Sequence, residues 1–166
     1  MRCAVIYHSR WGNCREIAES VAAGLSDTGN DVYVVEIGSA AALDLSLECI
    51  LLGCPTTGGK ASRPMRRFIK RAVTSACAGK EFVAFGTGLQ AEIAKSNPQA
   101  GDEIHEMLAK RGMRPLAPPF KAAVVTTKGP LAEGEVDRAL QFGRDLGRST
   151  PFEIVRLQKR RQDQAV

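Results

Sequence analysis

Aromatic residues make up only 5% of this 166-residue chain, with a single tryptophan, Trp11, and there are two histidines. No apolar run approaches the roughly 20 residues that a membrane-spanning helix needs, which argues against an integral membrane protein. The apolar stretch at residues 3–7 is too short for the apolar segment of a signal peptide. The five cysteines (Cys3, Cys14, Cys49, Cys54 and Cys77) are odd in number and form no CxxC pair. They read as reduced thiols of a cytoplasmic protein, without the spacing of a metal site. Gly12 and its neighbours do not form GxGxxG, and GxxxxGK[ST] is absent, which argues against dinucleotide and P-loop nucleotide binding. His8 and His105 lie too far apart in sequence to read as a local ligand pair, and His8 reads as structural rather than catalytic.

What is present fits one soluble domain. Hydrophobic residues are 44% and charged residues 25%, and the length suffices to bury a sizeable core. The domain is expected over residues 1–150, followed by a basic tail at 151–166. The net charge of +5 is clustered. Lys60, Arg63, Arg66, Arg67, Lys70 and Arg71 follow one another without an acidic residue between them, and Arg156, Lys159, Arg160 and Arg161 form a second group. Such groups are either a solvated helix face and a frayed tail, or a docking surface for an acidic partner or polyanion. Neither carries the interleaved aromatics or reading motif of a nucleic-acid binder.

Strand and helix signals alternate. Short apolar runs at 3–7, 31–36, 48–53, 80–85 and 121–127 read as five strands. Between them, Ile17, Ala18, Val21, Ala22 and Leu25 line one face of a first helix. Residues 38–47 read as a short crossover. A helix from Ser62 as N-cap, with Pro64 in its first turn, buries Met65, Phe68, Ile69, Ala72 and Val73. Further helices are expected over 101–111 and 133–148, the last packing through Val136, Leu140, Gly143 and Leu146. The proline-rich stretch 113–120 reads as an irregular connection. This alternation specifies an α/β fold with a doubly wound five-stranded parallel sheet.

In such sheets ligands bind beyond the carboxyl ends of the strands. The loops placed there are 8–13, 54–61 and 86–90, all rich in Gly, Ser, Thr or Asn. The first, His8-Ser9-Arg10-Trp11-Gly12-Asn13, joins a buried strand to a helix N-terminus. Backbone N–H groups and the helix dipole there favour an anion, most often a phosphate.

Together these loops resemble the flavodoxin family over nearly the whole chain, from Cys3 to about Leu146. The family's phosphate loop reads S/T-x-T-G-N-T; here it is Ser9-Arg10-Trp11-Gly12-Asn13-Cys14, with Trp11 and Cys14 standing where the family has threonines. The stretch GCPTTGGKASRPMRRFI, with Pro55, Thr56, Thr57, Gly58 and Gly59, resembles the loop that flanks the flavin ring. Gly86-Thr87-Gly88 resembles the loop at the flavin's pyrimidine edge. The resemblance implies a flavodoxin-like fold and FMN as cofactor, held by these three loops, in a protein that exchanges electrons with a redox partner. It also sets two contrasts. Flavodoxins typically carry flavin-sandwiching aromatics in the second and third loops, absent here, and an acidic surface, where this chain is basic.

Trp11 therefore stacks on the flavin, packs against neighbouring loops or fills the phosphate pocket. Cys14 fills the place of a threonine, or is a thiol of lowered pKa at a helix N-terminus. Three functions follow from the resemblance: an FMN-binding electron-transfer protein, an FMN-dependent NAD(P)H:quinone-type oxidoreductase, or a flavin-free binding module. For the first, the basic segment 60–71 is the expected docking site of an acidic redox partner.

Overall fold

The computed structural model describes residues 1–40, 43–44 and 46–148. The tail expected at 151–166, with its basic group, lies outside the described residues, as does part of the crossover expected at 38–47.

Strand β1 (Arg2–Tyr7) lies inside the sheet. Its residues Cys3, Ala4 and Val5 are fully buried between two parallel neighbours. β2 (Asp31–Glu36) pairs on one side, with Val5 opposite Val34. β3 (Cys49–Thr57) pairs on the other, with Val5 opposite Leu51. β5 (Glu81–Leu89) lies beyond β3, again parallel. The next position is shared by two pieces: β6 (Arg114–Pro115) pairs the start of β5, and β7 (Phe120–Val124) pairs its end. The strand order is thus β2-β1-β3-β5, closed by β6 and β7. The expected doubly wound parallel sheet is borne out, with its fifth strand split where Pro118 and Pro119 interrupt pairing. The order reverses between β1 and β3, so the switch point lies at their carboxyl ends.

Alternate residues of β1 feed two cores. Cys3, Val5 and Tyr7 pack under α1 (Asn13–Asp27) and α5 (Glu135–Arg148); Ala4 and Ile6 pack under α2 (Arg63–Ala72) and α4 (Ala100–Lys110). The apolar stripe of α1 is buried as read, each large side chain contributing about 1.5–3 kcal/mol. On α2, Met65, Phe68 and Ile69 face inward, while Arg63, Arg67, Lys70 and Arg71 are exposed. The stripe of α5 is rotated from expectation: Ala139, Phe142, Gly143 and Leu146 are buried, whereas Val136 is exposed in its first turn.

Two expected loops are largely strand. β3 continues through Pro55 to Thr57, turns at Gly58-Gly59 and returns as β4 (Lys60–Ala61), with Thr57 opposite Lys60. Both glycines have positive φ, 58° and 76°, as a tight two-residue hairpin turn requires. β5 likewise runs on through Gly86, Thr87 and Gly88 before a short helix, α3 (Gln90–Ala94), within a stretch expected to be loop. No helix among the described residues is long and apolar enough to cross a membrane.

Candidate cofactor site

The carboxyl ends of β1, β3, β5 and β7 surround one cleft of about 280 Å³. It is lined by Arg10 and Trp11 from the first loop, Pro55, Thr56, Thr57 and Gly58 from the β3–β4 hairpin, and Thr87, Gly88 and Leu89 from β5. Val124 and Thr127 complete it. Of the residues singled out in the sequence, Arg10, Trp11, Pro55, Thr56, Thr57, Gly58, Thr87 and Gly88 meet at this cleft. Ser9, Gly12, Asn13 and Cys14 form the adjoining helix entrance, and Gly59 and Gly86 do not line the cleft.

The entrance is organised by Ser9. Its hydroxyl accepts the N–H of Gly12 at 3.1 Å and that of Arg15 at 3.3 Å. Gly12 is the N-cap of α1 with φ +89°, a left-handed conformation that turns the loop into the helix. The N–H groups of Asn13 and Cys14 belong to the first turn, where no intrahelical carbonyl reaches them. The Cys14 thiol points the other way, into the core, where burial pushes its pKa well above the ordinary value. A lowered thiol pKa at this helix start is therefore not found.

Helix α4 fixes the second and third segments. The Thr56 hydroxyl accepts the Ala100 N–H at 2.9 Å, and a Glu103 carboxylate oxygen accepts the Ala61 N–H at 2.6 Å. Gln99, at the N-cap of α4, is 3% exposed and closes a capping box with Asp102, in which its side-chain oxygen faces the Asp102 N–H. That oxygen lies against Gly88, where a Cβ would come within 1.8 Å of it.

His8 links the first loop to the second segment. Its N–H donates to the Gly53 carbonyl at 3.0 Å, and its Nδ1 lies 2.8 Å from the Ser62 hydroxyl. Ser62 is the N-cap of α2 as read, but makes no side-chain capping bond. Burial holds the His8 pKa below its ordinary value, with Glu36 opposing and Arg10 reinforcing the shift.

A fourth segment, 124–130, escaped the sequence reading. It supplies Val124 and Thr127 to the lining and places Lys128 beside Trp11, its Nζ 5.1 Å from the ring centroid. The signal available was its position after the last strand, on the same edge as the other loops.

The flavodoxin family model matches residues 5–140. The chain belongs to the flavodoxin family. Among solved structures it is similar to a flavodoxin from the domain Archaea, with 23% identity, a TM-score of 0.71, and 89% of this chain aligned with 96% of that one. Oxidised flavodoxin 1 from Bacillus cereus aligns at 24% identity and a TM-score of 0.69, covering 88% of this chain and 97% of the other. Rubredoxin oxygen:oxidoreductase from Desulfovibrio gigas shares the fold over 89% of this chain but only 35% of its own, at 16% identity and a TM-score of 0.68. No curated protein matches the chain in sequence. Flavodoxins bind FMN and act with redox partner proteins, and this chain is a flavodoxin-like, FMN-binding electron-transfer protein.

The residues present fit that cofactor. N–H groups at the α1 entrance and the Arg10 guanidinium suit a phosphate monoester. The cleft beside them is bordered by an indole, a proline and small residues, as a flat heteroaromatic ring requires. The Thr56 and Thr87 hydroxyls supply polar groups in its lining.

Proposed function

We propose that this flavodoxin holds the FMN phosphate at the α1 entrance and the flavin ring in the adjoining cleft, and works as an electron carrier. Asn13 and Cys14 present backbone N–H groups to the phosphate, Ser9 and Gly12 shape the turn before them, and Arg10 adds charge. Pro55, Thr56, Thr57, Gly58 and Gly59 border one side of the ring, and Gly86, Thr87 and Gly88 its polar edge. Trp11 forms the aromatic wall that the second and third segments lack. The bound FMN supplies the redox chemistry; the chain binds it, orients it and sets its environment.

The observation that carries this reading is the convergence of three separate segments on one cleft beside a helix N-terminus. The choice of carrier over substrate-converting oxidoreductase rests on what lines the cleft. Among the described residues no Asp, Glu, His or Cys does so, which leaves no side chain suited to general acid–base work.

The redox partner is an acidic protein that docks on the outer face of α2. Among the described residues Lys60, Arg63, Arg67, Lys70 and Arg71 have no carboxylate within ion-pair distance, and only Arg66 meets one, Glu103 at 4.0 Å. Five buried, unpaired thiols suit a reducing, cytoplasmic setting.

FMN titration of the apoprotein tests the cofactor site, and assay of NAD(P)H-dependent quinone reduction separates the two activities. Saturable binding without such reduction supports the carrier. Quinone turnover overturns that choice, and unchanged FMN fluorescence overturns the site.

A further inference from the structure

Two cations lie within cation–π distance of the single aromatic ring of the cleft. The Arg10 guanidinium carbon lies 5.2 Å from the Trp11 ring centroid, and Lys128 Nζ lies 5.1 Å from it. Both distances are those of cation–π contacts. Neither cation has a carboxylate within ion-pair distance among the described residues, and no carboxylate lines the cleft.

The Lys128 backbone is held in place, while its side chain is exposed beside Trp11. The Asn13 side-chain amide donates to the Lys128 carbonyl at 3.1 Å, and the next residue's N–H, that of Gly129, donates to Thr126 at 2.9 Å. Gly129 has φ +104°, and a Cβ there would come within 2.5 Å of the Asn13 amide. The turn thus closes on the α1 entrance and delivers an ammonium group to the rim of the cleft. Arg10 reaches the same ring from the loop immediately before the helix.

Reduction of FMN by two electrons, supplied by the redox partner, with uptake of one proton adds one negative charge to the ring system. A fixed positive charge nearby stabilises that state over the oxidised one. We propose that Arg10 and Lys128 form a cationic collar that raises the reduction potential of FMN held in this cleft. The inference rests on the assignment of the cleft as the flavin site. The collar acts on the ring's redox state, and so is separable from any contribution of Arg10 to phosphate binding. Phosphate contacts weaken or tighten both redox forms alike, whereas the collar changes their ratio.

The experiment measures the midpoint potential of FMN with wild-type protein and with collar variants, at saturating FMN and low ionic strength. Arg10→Glu/Lys128→Glu is expected to weaken reduced relative to oxidised FMN about 100-fold, a fall of about 60 mV for a two-electron couple. Arg10→Gln/Lys128→Gln is expected to give about tenfold, or about 30 mV, in the same direction. Raising salt to about 0.5 M should shrink both differences. All four substitutions are at exposed positions, so folding is retained. FMN uptake with the same potential in all three proteins overturns the collar alone. Failure of the wild-type protein to take up FMN overturns the collar together with the cleft assignment.

Discussion

Asn13 donates its side-chain amide to the backbone carbonyl of Lys128 at 3.1 Å, joining the first turn of α1 to the segment after β7 across 115 residues of sequence. The bond closes the turn after β7 onto the α1 entrance. Replacing Asn13 with Ala is expected to cost about 1 kcal/mol of stability, the usual worth of such a bond. Asn13→Asp is expected to be worse, because it sets a carboxylate against a carbonyl oxygen. Denaturant unfolding of the three proteins checks the order; equal stability would mean the bond contributes nothing.

Gly12 offers a cleaner test of the entrance. A Cβ at this position meets nothing within 4 Å, so the cost of Gly12→Ala is its φ of +89° alone, about 1–2 kcal/mol. Gly12→Asp adds a negative charge where the phosphate is proposed to sit. The expectation is comparable stability for the two variants but much weaker FMN binding for the Asp form. Similar FMN affinities in calorimetry would move the phosphate elsewhere.

At Gly88 the obstacle is space. Gly88→Ala drives a Cβ into the Gln99 side-chain oxygen, in a residue only 3% exposed. Overpacking of this kind costs about 1–3 kcal/mol. Gln99→Ala in the same chain removes the obstructing atoms and is expected to restore much of that loss. Absence of any rescue would place the strain in the backbone instead.

Stability should fall on acidification through the two histidines. Burial holds both imidazoles below the ordinary value of 6.5; Asp102 partly opposes the shift at His105, as Glu36 does at His8. The unfolded chain therefore binds protons on these rings at higher pH than the folded one. Their contribution is fully present above about pH 6.5 and declines as pH drops toward the lowered folded values. Melting temperatures at about pH 7.5 and 5.5 should differ, and His8→Asn/His105→Asn should flatten that part of the difference. An unchanged slope would show that carboxylates alone set the acid response.

The architecture was legible because its signals are local. Buried β1, the stripe of α1 and the stripe of α2 each follow from apolar spacing within one segment. The extents of β3 and β5 were not, because Pro55-Thr56-Thr57 and Gly86-Thr87-Gly88 have loop composition and become strand only through pairing with distant neighbours. The inward face of Cys14 follows from the helix phase, whereas the alternative of a lowered thiol pKa rested only on its place at a helix N-terminus. Lys128 and Gln99 carry no motif at all. Their places depend on how the segment after β7 and the start of α4 fold back onto the cleft, which is tertiary information.

Trp11 is the sole tryptophan, it lines the cleft, and it is 46% exposed, so its emission reports directly on what enters. The most direct measurement is an FMN titration of the apoprotein followed by Trp11 fluorescence and by flavin fluorescence together. The expected result is saturable one-to-one binding, with quenching of both signals at the same endpoint. Flavin fluorescence that stays unchanged, or that saturates while Trp11 emission does not move, would contradict the placement of the flavin in this cleft.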